Sequence, residues 1–207
     1  MAASPTFVAH PVGRRRSPLR SVVPGAVAGA VGTAAMDAVQ YLRYRAGGGK
    51  TRPLHYEFAA VASFEQAPAP AQIAKRLFEA LFHRTVPDEK VNLANNVMHW
   101  GYGMAWGGAL GLVAGTRRSA SAWWGPLFGT VVFVSDYVVL PPTGLYRQIW
   151  EYDARTLSKD WADHVVYGSV TAVALRMFVV RGNGRARPKL PKGKVGNGRV
   201  RRRVSSA

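Results

Sequence analysis

The chain has 207 residues, enough for one domain, and its 28 Lys and Arg against 11 Asp and Glu give a formal net charge of +17. It has no cysteine, which excludes disulfides, thiolate metal sites and a cysteine nucleophile. The mean hydropathy of −0.05 suits a soluble protein only as an average, because Gly/Ala/Val-rich apolar blocks in the interior are diluted by two basic tails.

In chain order, the first feature is a basic N-terminal tail, 1–21, with four arginines between Arg14 and Arg20. Basic residues ahead of an apolar stretch also open a signal peptide. The stretch that follows, 22–41, has a membrane-spanning length rather than the shorter core of a signal sequence, and it has a counterpart later in the chain. A retained helix entered through Pro24 is therefore expected. Next comes a loop of about fifty residues. After Pro68 and Pro70, Ile73, Leu77, Phe78, Leu81 and Phe82 recur at helical spacing, while Lys75, Arg76 and Glu79 lie off that face. This pattern predicts a short amphipathic helix that either lies on a bilayer surface or packs on its own protein.

Three more apolar segments follow at 91–114, 123–140 and 161–180, the third ended by Pro141 and Pro142. Each of the four is long enough to cross a ~30 Å hydrocarbon core, and aromatics such as Tyr41, Trp123, Trp150 and Trp161 sit near their ends, as in an interfacial belt. Glycine spacing separates this reading from a soluble helical domain. Gly25 and Gly29, Gly103, Gly107 and Gly111, and Gly125 and Gly129 recur every four residues. Glycine costs a helix in water ~1 kcal/mol relative to alanine, whereas in lipid it lets helix backbones approach closely. The chain ends in a basic tail, 181–207, with almost nothing to bury, for which disorder is expected. Seventeen basic residues lie in the tails and the Arg117–Arg118 loop, against eleven in the opposite loops, so both termini are expected in the cytoplasm. The tails suit anionic head groups better than a specific nucleic acid.

The expected fold is thus an all-α membrane protein with four transmembrane helices, built as two parallel two-helix repeats with a short amphipathic loop helix. The duplication is carried by two motifs. His99-Trp-Gly-Tyr102-Gly103 matches His164-Val-Val-Tyr167-Gly168, and the first and third segments each carry a Gly-x-x-x-Gly pair, a Gly-Thr pair and one late aspartate, Asp37 or Asp136. Two copies in the same orientation imply a pseudo-two-fold axis along the membrane normal. Because the segments alternate in direction, Asp37, His99, Asp136, His164 and Asp163 all fall on the side of the long loops, and His, Tyr and Gly of each motif share a helix face, with Gly168 or Gly103 available for close packing and the imidazole and phenol expected to point inward. Ionisable groups at membrane depth are costly unless paired or hydrated, which makes them functional candidates. The candidate polar site is therefore Asp37, His99, Tyr102, Asp136, Asp163, His164 and Tyr167. Three readings stay open at this point. Asp–His pairs can staple the bundle, the groups can exchange protons, or Asp37, His99, Asp136 and His164 can hold a divalent metal. No cofactor is otherwise expected. No phosphate loop, G-x-S-x-G or HExxH motif is present, so no catalytic residue is assigned. Glycine faces left over among four spans make a homo-oligomer a further expectation.

Several local patterns together resemble the YagU-like family of small bacterial inner-membrane proteins, over the stretch from the first helix to about Arg176. They are the Pro-rich amphipathic segment ending at Phe82, the Val86-Pro87-Asp88 turn, Asn95-Asn96-Val97-Met98-His99-Trp100, Pro141-Pro142-Thr143-Gly144-Leu145, the Trp150-Glu151 loop and His164. The basic C-terminal tail departs from that pattern. The resemblance implies an inner-membrane location and a link to acid stress, and it supplies neither a reaction nor catalytic residues. A transporter or accessory factor for a divalent metal or small solute is the alternative function.

Overall fold

The computed structural model describes residues 18–58, 61–115 and 123–184. The 1–17 part of the basic N-terminal tail, the Arg117–Arg118 loop and most of the 181–207 tail, on which the orientation and disorder expectations rest, lie outside the described residues. Among the described residues there are six α-helices and no strand: α1 (Val22–Ala46), α2 (Pro53–Phe58), α3 (Ala69–Phe82), α4 (Val91–Gly115), α5 (Trp124–Val139) and α6 (Ala154–Gly184).

Several helix boundaries have a local cause. Proline at position 70 sits in the first turn of α3, where its missing N–H costs nothing. The helix stops at His83, which adopts a left-handed backbone (φ 52°) and donates its N–H to the Glu79 carbonyl at 2.9 Å. The Glu79 carboxylate then accepts the Val86 N–H at 3.1 Å and pins the chain as it turns toward α4. At the end of α5, Pro141 and Pro142 cannot continue an α-helical ladder, and one tight 3₁₀ turn closes on Gly144 at φ 73°. Asp153 precedes α6 and accepts from both the N–H (2.9 Å) and the hydroxyl (2.7 Å) of Thr156, a side-chain N-cap.

Two stretches, Leu19–Ala46 and Trp124–Thr143, are long and apolar enough to cross a membrane. Helices α4 and α6, at 25 and 31 residues, are long enough but contain no stretch of that apolarity. Their loop-side ends carry Asn92, Asn95, Asn96 and His99 on α4, and Asp160, Asp163 and His164 on α6. All four long helices extend to or beyond the apolar spans read from the sequence, apart from α5, which is one residue shorter at each end.

Helix α1 packs closely along α4 on one side and α6 on the other, α5 packs along α6, and α3 packs on α4. Glycine makes these approaches. A side chain on Gly25 or Gly29 would run into the backbone of Gly103, Gly107 and Gly111, and one on Gly125 or Gly129 into that of His164, Gly168 and Ser169. Large residues fill the centre: Leu110, Phe128, Val132, Tyr167 and Leu175 surround Ala28, with Trp106 against them. A two-fold relation would make α4–α5 the partner of α1–α6. The α1–α6 seam is tight, with Gly32 against Tyr167 and Thr171, whereas α4 and α5 meet through side chains, Trp106 edge-on to Phe128 at 6.1 Å.

Candidate functional site

Helices α1 and α5 end where α4 and α6 begin, so one end of the bundle collects the polar side chains. Asp37, two turns before the end of α1, faces His99 of α4, with Asp37 Oδ1 2.8 Å from Nε2. Asp136, near the end of α5, faces His164 of α6 with Oδ2 3.2 Å from Nε2. The aspartate and histidine of each sequence unit therefore pair with one another.

The tyrosines of the two H-x-x-Y-G motifs reach across instead. The Tyr102 hydroxyl donates to Asp136 Oδ1 at 2.7 Å, and that of Tyr167 donates to the Gly103 carbonyl at 2.6 Å. Tyr167 is buried as the sequence implied. Tyr102 is 41% exposed and stands at the loosely packed α4–α5 seam, which departs from the inward position expected of it. Asp163 is buried and joins neither histidine. It takes a two-pronged ion pair from Arg43 of α1, with both N–H···O distances at 2.9 Å.

Around the second pair the bonding is saturated. His164 Nδ1 lies 2.8 Å from the Asp160 carbonyl and 3.3 Å from Asp160 Oδ1, while Asp160 Oδ2 accepts the Tyr137 hydroxyl at 2.9 Å. A run Tyr102–Asp136–His164–Asp160–Tyr137 results, roofed by Tyr146 and Tyr152 edge-on to Tyr137 at 5.2 and 5.4 Å.

The first pair is less complete. Asp37 Oδ2 is buried and has no hydrogen-bond partner. The carboxyl of Glu57, from the short helix α2, accepts the Trp100 indole N–H at 3.1 Å and lies near enough to the Asp37 carboxylate for the two side chains to interact. Burial pushes the Glu57 carboxyl above its usual range. The Trp100 bond opposes that rise and the neighbouring Asp37 carboxylate adds to it. Helix α2 is held over this corner by Asn96, whose amide donates to the Glu57 carbonyl at 3.2 Å, and by a Tyr41, Tyr44 and Tyr56 cluster.

No family profile, curated protein or solved structure matches this chain. What the site can do is read from its geometry alone. The four metal-ligand candidates Asp37, His99, Asp136 and His164 fall into two Asp–His pairs in which each Nε2 already faces a carboxylate, and no group of three ligating side chains suited to a metal is found among the described residues. Sequence reasoning missed Glu57, Arg43 and Trp100 as participants. Glu57 lies in a loop with no motif around it, and Arg43 read only as a charge bearing on orientation. Asp160 stood four residues before His164, a spacing that puts both on one helix face.

Proposed function

We propose that this chain is an integral inner-membrane protein that responds to pH by exchanging protons at the corner formed by Asp37, His99 and Glu57. It crosses the bilayer four times as two parallel two-helix units, with both termini in the cytoplasm and the corner in the outer half. Two features support the membrane setting. Only 28% and 33% of the most apolar windows of the two spanning-length stretches are buried within the protein, where a soluble core helix would be covered. The exposed side chains are Val23, Val27 and Val31 on α1 and Leu127, Val131, Val134 and Val138 on α5, apolar surface that lipid would cover. On the polar ends of α4 and α6, Asn92, His99, Asp160, Asp163 and His164 have partners within the protein, which is compatible with spanning.

The observation that carries the proton reading is the orphaned oxygen of Asp37 beside a second carboxyl. Two neighbouring carboxylates repel, and a proton held by Glu57 relieves that repulsion and offers the buried Asp37 oxygen a donor. Loss of that proton changes the charge against His99 and the fit of α2. The YagU-like resemblance and its link to acid stress belong with this reading, as do the lipid bilayer and its anionic head groups as partners of the basic tails.

The test is histidine ¹⁵N NMR on the full chain in nanodiscs across about pH 5 to 8, the window in which imidazole environments report charge change. The His99 resonances are expected to move with pH and to lose that response in Glu57→Gln, while His164 stays constant. Invariance of His99 over the whole range would sink the proposal.

A further inference from the structure

Helix α3 uses one side against the protein and leaves the other bare. Its small residue Ala71 is fully buried, together with Phe64 and Ala67 just before it, against Val91 at the start of α4. One turn further on, the Arg76 guanidinium donates to the carbonyl of Thr143, just past the end of α5. A helix that touches the start of one long helix and the end of another lies across the end of the bundle, at the level where both meet the loops. From there its second half presents Leu77, Phe78, Leu81 and Phe82, which are 50%, 43%, 72% and 60% exposed. Phe78 and Phe82 stack at 4.7 Å, so they form one surface rather than separate side chains.

Two observations say what covers this edge. Leu93 and Val97, in the first two turns of α4, are 61% and 64% exposed, so bare apolar surface is present at the same level on the helix beneath α3 and leads down the bundle. The polar border is net basic: Lys75 and Arg76 precede the edge and Arg84 follows it, and the one acid among residues 75–84, Glu79, accepts the Val86 N–H and pairs with Lys75 at 3.5 Å, leaving the two arginines in excess. Apolar side chains bordered by cations at the depth where spans end match the boundary between anionic head groups and acyl chains.

We propose that the 77–82 edge of α3 is a membrane-docking surface that seats in the head-group boundary of an anionic bilayer, across the outer end of the α4–α5 seam. It rests on the four-span reading, because the level of α3 is set by where α4 begins and α5 ends. The docked edge anchors the loop that also carries α2 and Glu57 to the lipid surface.

The chain has no native cysteine, so single cysteines can be placed without background. Full-length Leu81→Cys, Phe82→Cys, Arg84→Cys and Val131→Cys proteins, spin-labelled and reconstituted in phosphatidylcholine/phosphatidylglycerol vesicles, are compared for collision with oxygen and with a water-soluble nickel chelate. Labels at 81 and 82 are expected to favour oxygen several-fold over Arg84→Cys, and the preference should shrink without phosphatidylglycerol. Water-like accessibility at 81 and 82, with a lipid-like label at 131, would overturn the docking surface and leave the spans intact. Protection of 81 and 82 from both reagents would also overturn it, since protein and not lipid would then cover the edge. A water-exposed label at 131 would instead remove the four-span reading beneath it.

Discussion

The two Asp–His pairs come from matching motifs, yet the structure finishes them differently. His164 uses both ring nitrogens, its side chain is 9% exposed, and Asp136 has both oxygens engaged. His99 makes its bond through Nε2, is 26% exposed, and faces an aspartate with one oxygen unsatisfied. Each corner also has three tyrosines, Tyr41, Tyr44 and Tyr56 on one side and Tyr137, Tyr146 and Tyr152 on the other. In the second corner the Tyr137 hydroxyl donates a hydrogen bond to Asp160, whereas in the first the hydroxyls of Tyr41 and Tyr44 turn away to Thr51. A saturated pair resists change in charge, and an unsaturated one invites it. On the proposed reading, the same motif makes a staple in one unit and a responsive corner in the other.

The largest expected effect tests whether that difference stops at the polar end. Gly107→Leu and Gly125→Leu each force a side chain into a facing helix backbone, and both should cost more than the ~1–3 kcal/mol of ordinary overpacking. Loss of the monodisperse peak on size exclusion would register it. Gly101→Ala meets nothing within 4 Å and should be neutral or stabilising by up to ~1 kcal/mol, the helix cost of glycine. If Gly125→Leu is tolerated and Gly107→Leu is not, the asymmetry runs through the whole bundle.

His164→Gln disturbs bonds to Asp136 and Asp160 in a buried place and is expected to cost ~2–3 kcal/mol, against ~1 kcal/mol for His99→Gln, by thermal unfolding in nanodiscs. Equal losses would mean that both pairs are staples.

The smallest effect concerns pH. The folded protein holds the Glu57 proton more tightly than the unfolded chain does. Stability from this group is therefore greatest below the ordinary glutamate range and declines as pH rises through the raised value. Glu57→Gln should flatten that decline in Tm-against-pH curves. An unchanged slope would remove Glu57 from the responsive corner.

Much of the helical framework was legible in the sequence. Apolar length, the four-residue glycine series, Pro70 at the start of α3 and Pro141 after α5 act locally, through backbone geometry and side-chain size, so their consequences appear wherever the residues occur. The level of Asp37, His99, Asp136 and His164 followed from counting residues along helices that alternate in direction, and so did the apolar face of α3. The resulting partners were decided only by tertiary structure. Which carboxylate Arg43 meets, why Tyr102 opens toward Asp136, and how Glu57 comes to lie beside Asp37 depend on contacts between residues 20 to 120 positions apart. Those contacts are set by helix rotation and by the path of a loop whose composition is unremarkable. The two motifs share His, Tyr and Gly along the chain, and what makes them chemically distinct is Trp100 in the first, where the second has Val165, together with different neighbours, one set saturating and one not.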